Sequence, residues 1–480
     1  MLVFQKTSEG GSEEGPVPTG VQDVQAAQEA SGEQPQEKAT KGSKYSCLKP
    51  DFQSTSPPYE IPSQNLTRGS RGTRFLVLFM KNYEGTTKNV YVTSEKGVQV
   101  NISTSSHLDP SLKMQIDMNL IIPSSHHFVF SNQIELTSFQ KEFKSVLIET
   151  SDDALVVSLD GVRGSADGTT NIPIHKLSTR YVVITAQPLS RNSQLAVAAL
   201  ENNTQISVRF RMKQYTSLII EGNKYYNGDV FIFTLDRFET YQIAHNTDLT
   251  GTFIESSNPI AAFSGNDCTE LNGGKYCDHL FEQLPPTDTI DKTYIVPPNS
   301  DERDTIIRIT AIKLSDIYYM IGTVNQTRLL GGYDFFDIRI SSNQSCYIKS
   351  TEPVLVTGFG LHSNSSRLGD PSMTIVPGIN QYLNYYKIPI PTGYVHNIVS
   401  IMIKASSKAF IHINDKIVNA NDIVFEDKFS DGNVTYSVVS ILVTQGEFKA
   451  LTLDGERFGV MVSGIRRDEA YGFSGNSLLP

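Results

Sequence analysis

The residues best placed to do local chemistry are Cys268 and Cys277, which bracket the loop Cys-Thr-Glu-Leu-Asn-Gly-Gly-Lys-Tyr-Cys and are followed at once by Asp278 and His279. Two chemistries compete for this cluster. A bridge between the thiols is geometrically easy across a short Gly-containing loop. A structural zinc could use the same thiolates with Asp278 and His279, but such sites want two well-spaced ligand pairs, and the second pair is missing. No metal is therefore expected. Cys47 and Cys346 lie far apart in sequence, so they could pair with each other, bond another chain or stay free.

No other arrangement of residues in the sequence matches a familiar catalytic pattern. His126 and His127 are adjacent on a strand-like run, where successive side chains point to opposite faces and do not chelate one ion. His107, His175, His245, His279, His362, His396 and His412 show no His-Glu-X-X-His spacing. No Gly-X-Ser-X-Gly elbow occurs; Gly472-Phe473-Ser474-Gly475 half resembles one and reads as a turn. A glycosidase could assemble a carboxylate pair ~5 to 10 Å apart from separate strands. The acids, however, fall mostly in turns such as Asn299-Ser300-Asp301-Glu302-Arg303-Asp304, where solubility and turn chemistry account for them. Phosphate-cradling glycine motifs are missing too. The expectation is a chain with no catalytic residues, no cofactor and no metal, the alternatives being a glycan-processing propeller-type enzyme or a cytosolic interaction platform.

A length of 480 residues is enough for several domains or one large repeated one. With 41 basic and 51 acidic residues the formal charge is −10, and no stripe of Lys and Arg could track a phosphate backbone, so nucleic acid is not expected as a partner. The chain has no Trp, and its 21 Tyr and 24 Phe suit half-buried strand surfaces. No segment reaches the ~18 to 20 apolar residues of a membrane-spanning helix. The start Met-Leu-Val-Phe-Gln-Lys lacks the apolar core of a secretory leader, which taken literally implies a cytoplasmic chain; the other reading is a fragment of a secreted one. Seven Asn-X-Ser/Thr sequons, at Asn65, Asn101, Asn202, Asn325, Asn343, Asn364 and Asn433, are candidate glycosylation sites on the secretory route.

Residues 1–45 are rich in Gly, Ser, Glu, Gln and Ala and cannot bury enough apolar surface to offset chain entropy, so they read as a disordered tail. Residues 46–74 read as a linker, its Arg68 to Arg74 stretch as a solvated approach to the first strand. From 75 to 478 short runs of Val, Ile, Phe, Tyr and Thr alternate with Gly, Asn, Asp and Ser, an all-β pattern. Four hairpins are expected, the first joining Phe75–Phe79 to Lys88–Val92 and the others centred on Glu201-Asn202-Asn203, Lys313 to Asp316 and Ala405 to Ser407. Between them a polar turn feeds a buried strand at Asp153, Pro259, Pro353 and Arg457, spaced 106, 94 and 104 residues apart. About four units of ~100 residues follow, each fitting two propeller blades or one complete sandwich. Because no Pro/Gly-rich linkers separate them, a propeller-like closed arrangement is preferred, with tandem β-sandwiches as the alternative.

The stretch Phe263-Ser264-Gly265-Asn266-Asp267-Cys268 through Cys277-Asp278-His279-Leu280-Phe281-Glu282-Gln283-Leu284-Pro285-Pro286 resembles the N-terminal domain of the IgGFc-binding protein family. So do Gly369-Asp370-Pro371-Ser372-Met373-Thr374-Ile375-Val376-Pro377 with Asn380-Gln381-Tyr382, and Asp468-Glu469-Ala470-Tyr471-Gly472-Phe473-Ser474-Gly475. The resemblance covers roughly residues 70 to 478. It implies an oxidised Cys268–Cys277 pair and an extracellular binding or scaffold module of the kind found in secreted, mucus-associated or adhesive proteins, with a protein or glycan partner. It brings no catalytic mechanism, and no residue set here would carry immunoglobulin binding.

Overall fold

Strands that lie about a hundred residues apart in the chain occupy the same place in successive β-sandwiches. The computed structural model describes residues 69–480 apart from 84, 162–163, 272–276, 300 and 364. The expected tail, most of the linker, Cys47 and the sequons Asn65 and Asn364 lie outside the described residues.

The second sandwich shows the plan. One sheet runs in the order Asp278–Gln283, Ile260–Thr269, Ser193–Ala199, Thr240–His245; the facing sheet runs Val230–Leu235, Thr204–Arg209, Phe253–Ser256, Arg180–Val182. The third repeats it with Ser372–Ile375, Val354–Gly360, Thr305–Ala311, Phe335–Ile340 facing Val324–Leu330, Ser315–Ile321, Cys346–Ser350, Thr293–Val296. The fourth sets Glu469–Ser474, Gly459–Arg466, His396–Lys404, Thr435–Val443 against Lys416–Ile417, Ile411–Ile413, Gly446–Thr452, Tyr385–Ile390, and adds Ile423–Ser430 at one edge. In the first, the long strand Val146–Gly161 serves both sheets, pairing early with Gly72–Val77 and Val98–Thr104 and late with Lys88–Ser94 and Ala166–Thr170.

This settles the all-β fold in favour of tandem sandwiches: each repeat is one complete sandwich, not two blades. It also corrects the four hairpins. Ser193–Ala199 and Thr204–Arg209 belong to opposite sheets, as do Thr305–Ala311 with Ser315–Ile321 and His396–Lys404 with Ile411–Ile413. Gly72–Val77 and Lys88–Ser94 do not pair with each other either. Each expected hairpin beyond the first is instead an arch that carries the chain across the core. An apolar alternation around a short polar turn is the same for both, because it reports which faces are buried and not which strand supplies the hydrogen bonds.

The units still close around one centre. The last strand of each, Ala166–Thr170, Asp278–Gln283, Ser372–Ile375 and Glu469–Ser474, packs against the last strands of two other units, the first on the second and fourth, the third on the same two. The fourth unit also returns to the start of the chain: Lys387 Nζ donates to Ser94 O at 2.8 Å, Tyr385 Oη to Glu95 at 2.7 Å, and Ser70 N to Ser477 O at 2.8 Å. Arg71, expected to be solvated, is buried here between Glu95 and the Lys387 carbonyl. Apolar cores are shared across unit boundaries. Ala196, Ala198, Phe263 and Phe281 of the second unit complete the core of the first, and Tyr91, Leu155, Val157 and Leu159 of the first join that of the fourth.

Candidate binding site

The Cys268–Cys277 bridge is formed, with Cα atoms 5.2 Å apart. It rules out the thiolate zinc site. Of the partners imagined for that metal, Asp278 accepts the backbone N–H of Ala166 at 2.5 Å and of Ala470 at 3.2 Å, while His279 is buried away from the bridge with Nε2 3.6 Å from Asp160 Oδ2. Among the described residues no cluster of His, Cys, Asp and Glu is arranged to hold a metal. Cys346 is free and fully buried, and burial pushes its thiol up to about 12.

The bridge closes an excursion between two paired strands, and the base of that excursion is fixed by Asp267, which accepts Cys268 N at 2.8 Å and Asn192 N at 2.7 Å. Asp267 and Asn192 form one wall of an open cleft of about 570 Å³; Lys81, Asn132, Gln133, Glu135 and Lys144 of the first sandwich form the other. The walls are held by polar contacts across the unit boundary. Gln194 Nε2 donates to Lys81 O at 2.8 Å, and Lys81 N to Gln242 at 3.1 Å. A cleft lined by amides, hydroxyls and charges of both signs suits a ligand that makes many hydrogen bonds rather than an apolar small molecule.

Behind the cleft lies a buried ion network. Lys88 Nζ, fully buried, donates to Asp160 Oδ1 at 2.7 Å, Asp160 Oδ2 at 2.9 Å and Glu135 Oε2 at 2.7 Å. Lys81 at the cleft holds the other oxygen of Glu135 at 2.7 Å.

At the centre of the ring, four strands meet edge to edge, and carboxylates satisfy the amides that no ladder reaches. Asp167 alone accepts four backbone N–H groups: Gly168 and Gly472 at Oδ1, each at 3.0 Å, Phe281 at 3.2 Å and Met373 at 2.9 Å at Oδ2. Glu282 accepts Ile375 N at 2.9 Å and Thr169 Oγ1 at 2.6 Å. Burial pushes the carboxyls of Asp167, Asp278 and Glu282 well above the ordinary range, against the pull of these donors. These acids therefore hold strands of different sandwiches together.

Two turn readings change as well. Arg303, placed in a solvated turn by sequence, is fully buried and donates to Leu361 O and Asp370 O, each at 2.7 Å; burial draws its pKa down to about 10. Asp301 of the same turn meets His396 Nδ1 of the fourth sandwich at 2.8 Å. Gly472-Phe473-Ser474 is not a turn but part of the central strand Glu469–Ser474, where a Cβ on Gly472 would lie 2.2 Å from Thr374 Oγ1. His126 and His127 do face opposite ways, His127 stacking on Tyr91 and His126 meeting Phe128 edge-on.

Of the described sequons, Asn202, Asn325, Asn343 and Asn433 are exposed, whereas Asn101 is half-buried with its amide on Glu149 at 3.3 Å. One recurring structural signature has only a faint trace in the sequence. Tyr181, Tyr294 and Tyr386, each the second residue of the strand that opens its unit, send their hydroxyls to the carbonyls of Ile260, Val354 and Phe458, at 2.7, 2.6 and 2.6 Å. The runs Thr-Arg-Tyr-Val, Lys-Thr-Tyr-Ile and Asn-Tyr-Tyr-Lys were the available signal.

Comparison with known proteins places these features. The model of the family described as IgGFc binding protein matches residues 167–464. The IgGFc-binding protein of Homo sapiens is 25% identical over 327 residues, 66% of this chain, and the chain spans 6% of the length of that relative. A solved structure described as "Ca2+-stabilized adhesin helps an Antarctic bacterium reach out and bind ice" aligns with 86% of this chain and 100% of its own at 10% identity and a TM-score of 0.11.

Proposed function

Because this chain belongs to the IgGFc-binding protein family, we propose that it is an extracellular, non-catalytic recognition module that binds a polar protein or glycan surface at the cleft beside the Cys268–Cys277 loop. The observation that carries this reading is the cleft itself. It is open, lined by hydrogen-bonding side chains from two sandwiches, and includes Asp267, the neighbour of the disulfide-bonded Cys268; loops carried on a β framework are where partners are usually recognised. A disulfide and four exposed sequons fit a secreted, mucus or matrix setting. The human relative's name refers to the Fc portion of IgG, so that fragment is one probe to use; no residue set in this cleft singles it out.

The test is binding of the full chain to an oligosaccharide array and to immobilised IgG Fc, with wild type beside the double variant Lys81→Ala/Asn192→Ala. Binding to at least one probe class, weakened tenfold or more by the double variant, is expected. Binding that the double variant leaves unchanged would move the site away from the cleft, and no binding to either class would sink the proposed ligand range.

A further inference from the structure

We propose that Lys88 and Asp160 are joined by an intramolecular isopeptide bond, formed within the folded chain with Glu135 as the proton carrier. The two residues face each other on paired strands, Lys88 opposite Asp160 in the register of Lys88–Ser94 with Val146–Gly161. Both side chains are fully buried, and that of Glu135 is 9% exposed. Lysine is almost never buried to this extent, and a buried ion pair carries a desolvation cost that its attraction often fails to offset. Condensation removes both charges.

The geometry suits the reaction. Nζ lies within 2.9 Å of both Asp160 oxygens, which places the carboxyl carbon between them at the ~3 to 3.5 Å separation of a near-attack arrangement. The two oxygens are not equivalent. Oδ1 accepts Thr86 Oγ1 at 2.7 Å and Asn82 Nδ2 at 3.4 Å, donors suited to a developing oxyanion. Oδ2 is the leaving oxygen, 3.6 Å from His279 Nε2. The Phe79 ring lies 5.9 Å from Nζ and stacks on Phe281, an apolar wall along one side of the pair.

The step balances without a co-reactant. One ammonium proton passes to Asp160 Oδ2, the Nζ lone pair forms a bond to Asp160 Cγ, and Glu135 takes the second Nζ proton and delivers it to the same Oδ2. The Cγ–Oδ2 bond breaks and one water leaves. Glu135 ends as it began and accepts the new amide N–H. Its side chain also lines the open cleft, which gives the water a way out.

Tryptic mapping of the full chain after reduction decides the matter. The bond blocks cleavage at Lys88, so residues 82–96 and 145–163 would appear as one branched species at the sum of their masses less one water, about 18 Da; neither peptide holds a sequon. That species is expected to account for most of the chain, and to fall at least tenfold in Glu135→Gln, which preserves shape. Free 82–88, 89–96 and 145–163 from wild type would overturn the proposal and leave a non-covalent triad. A branched species of undiminished yield in Glu135→Gln would overturn the role given to Glu135.

Discussion

Asp167 accepts at Oδ2 the backbone N–H of Met373, 2.9 Å away and two sandwiches further along the chain. With the three other amides it holds, this carboxyl ties all four central strands to one point. Asp167→Asn would aim an NH₂ group at two of those donors, and the unpaired amides should cost about 3–5 kcal/mol. Urea unfolding of wild type and variant measures the loss; a change below ~1 kcal/mol would show that the central contact holds nothing together.

The same centre sets a pH dependence. Burial pushes Asp370 up to about 6, and Asp278 beside it also upward. A carboxyl whose folded value exceeds its unfolded one binds more protons when native. Its stabilising contribution is therefore full below pH ~4 and is lost as pH rises through about 6. Thermal stability should rise from pH 7 to pH 5 by an amount on the order of 2 kcal/mol, and Asp370→Asn should flatten that rise. A melting temperature that falls over this range would contradict the assignment.

Shared cores predict a single unfolding event. Residues 178–286, expressed alone, would expose Ala196, Ala198, Phe263 and Phe281, which in the whole chain pack into the first sandwich. We expect that fragment to aggregate, and residues 69–480 to melt in one calorimetric transition. Independent melting of separate sandwiches would show the boundaries to be weaker than the packing implies.

Gly472 is required by close approach. Its Cβ would stand 2.2 Å from Thr374 Oγ1 between two central strands, so Gly472→Ala should destabilise by about 1–3 kcal/mol, and Thr374→Ala in the same chain should relieve part of that loss. A variant pair whose losses simply add would place the strain elsewhere.

Non-reducing peptide mapping of secreted protein should find Cys268 bonded to Cys277 and glycans on Asn202, Asn325, Asn343 and Asn433, with Asn101 largely bare because its amide is held by Glu149. Breaking the bridge as Cys268→Ser/Cys277→Ser should cost about 2–3 kcal/mol, as expected for a short closed loop. Free thiols and bare asparagines would argue for an intracellular chain.

The all-β class, the spacing of the repeats and the local Cys268–Cys277 cluster are legible in the residues alone. Each of these depends on residues close together in the chain: alternation of apolar positions, turn residues, two cysteines nine apart. That the expected hairpins cross between sheets emerges only once the chain is folded, because burial period is identical whether the next strand pairs or faces its predecessor. Folding likewise decides that Arg71 and Arg303 are buried, that Asp167 is a hub and that Lys88 meets Asp160. A charged residue in a polar run reads as solvated until strands from distant units close over it, and the partners that make its burial tolerable lie as far as 316 residues away.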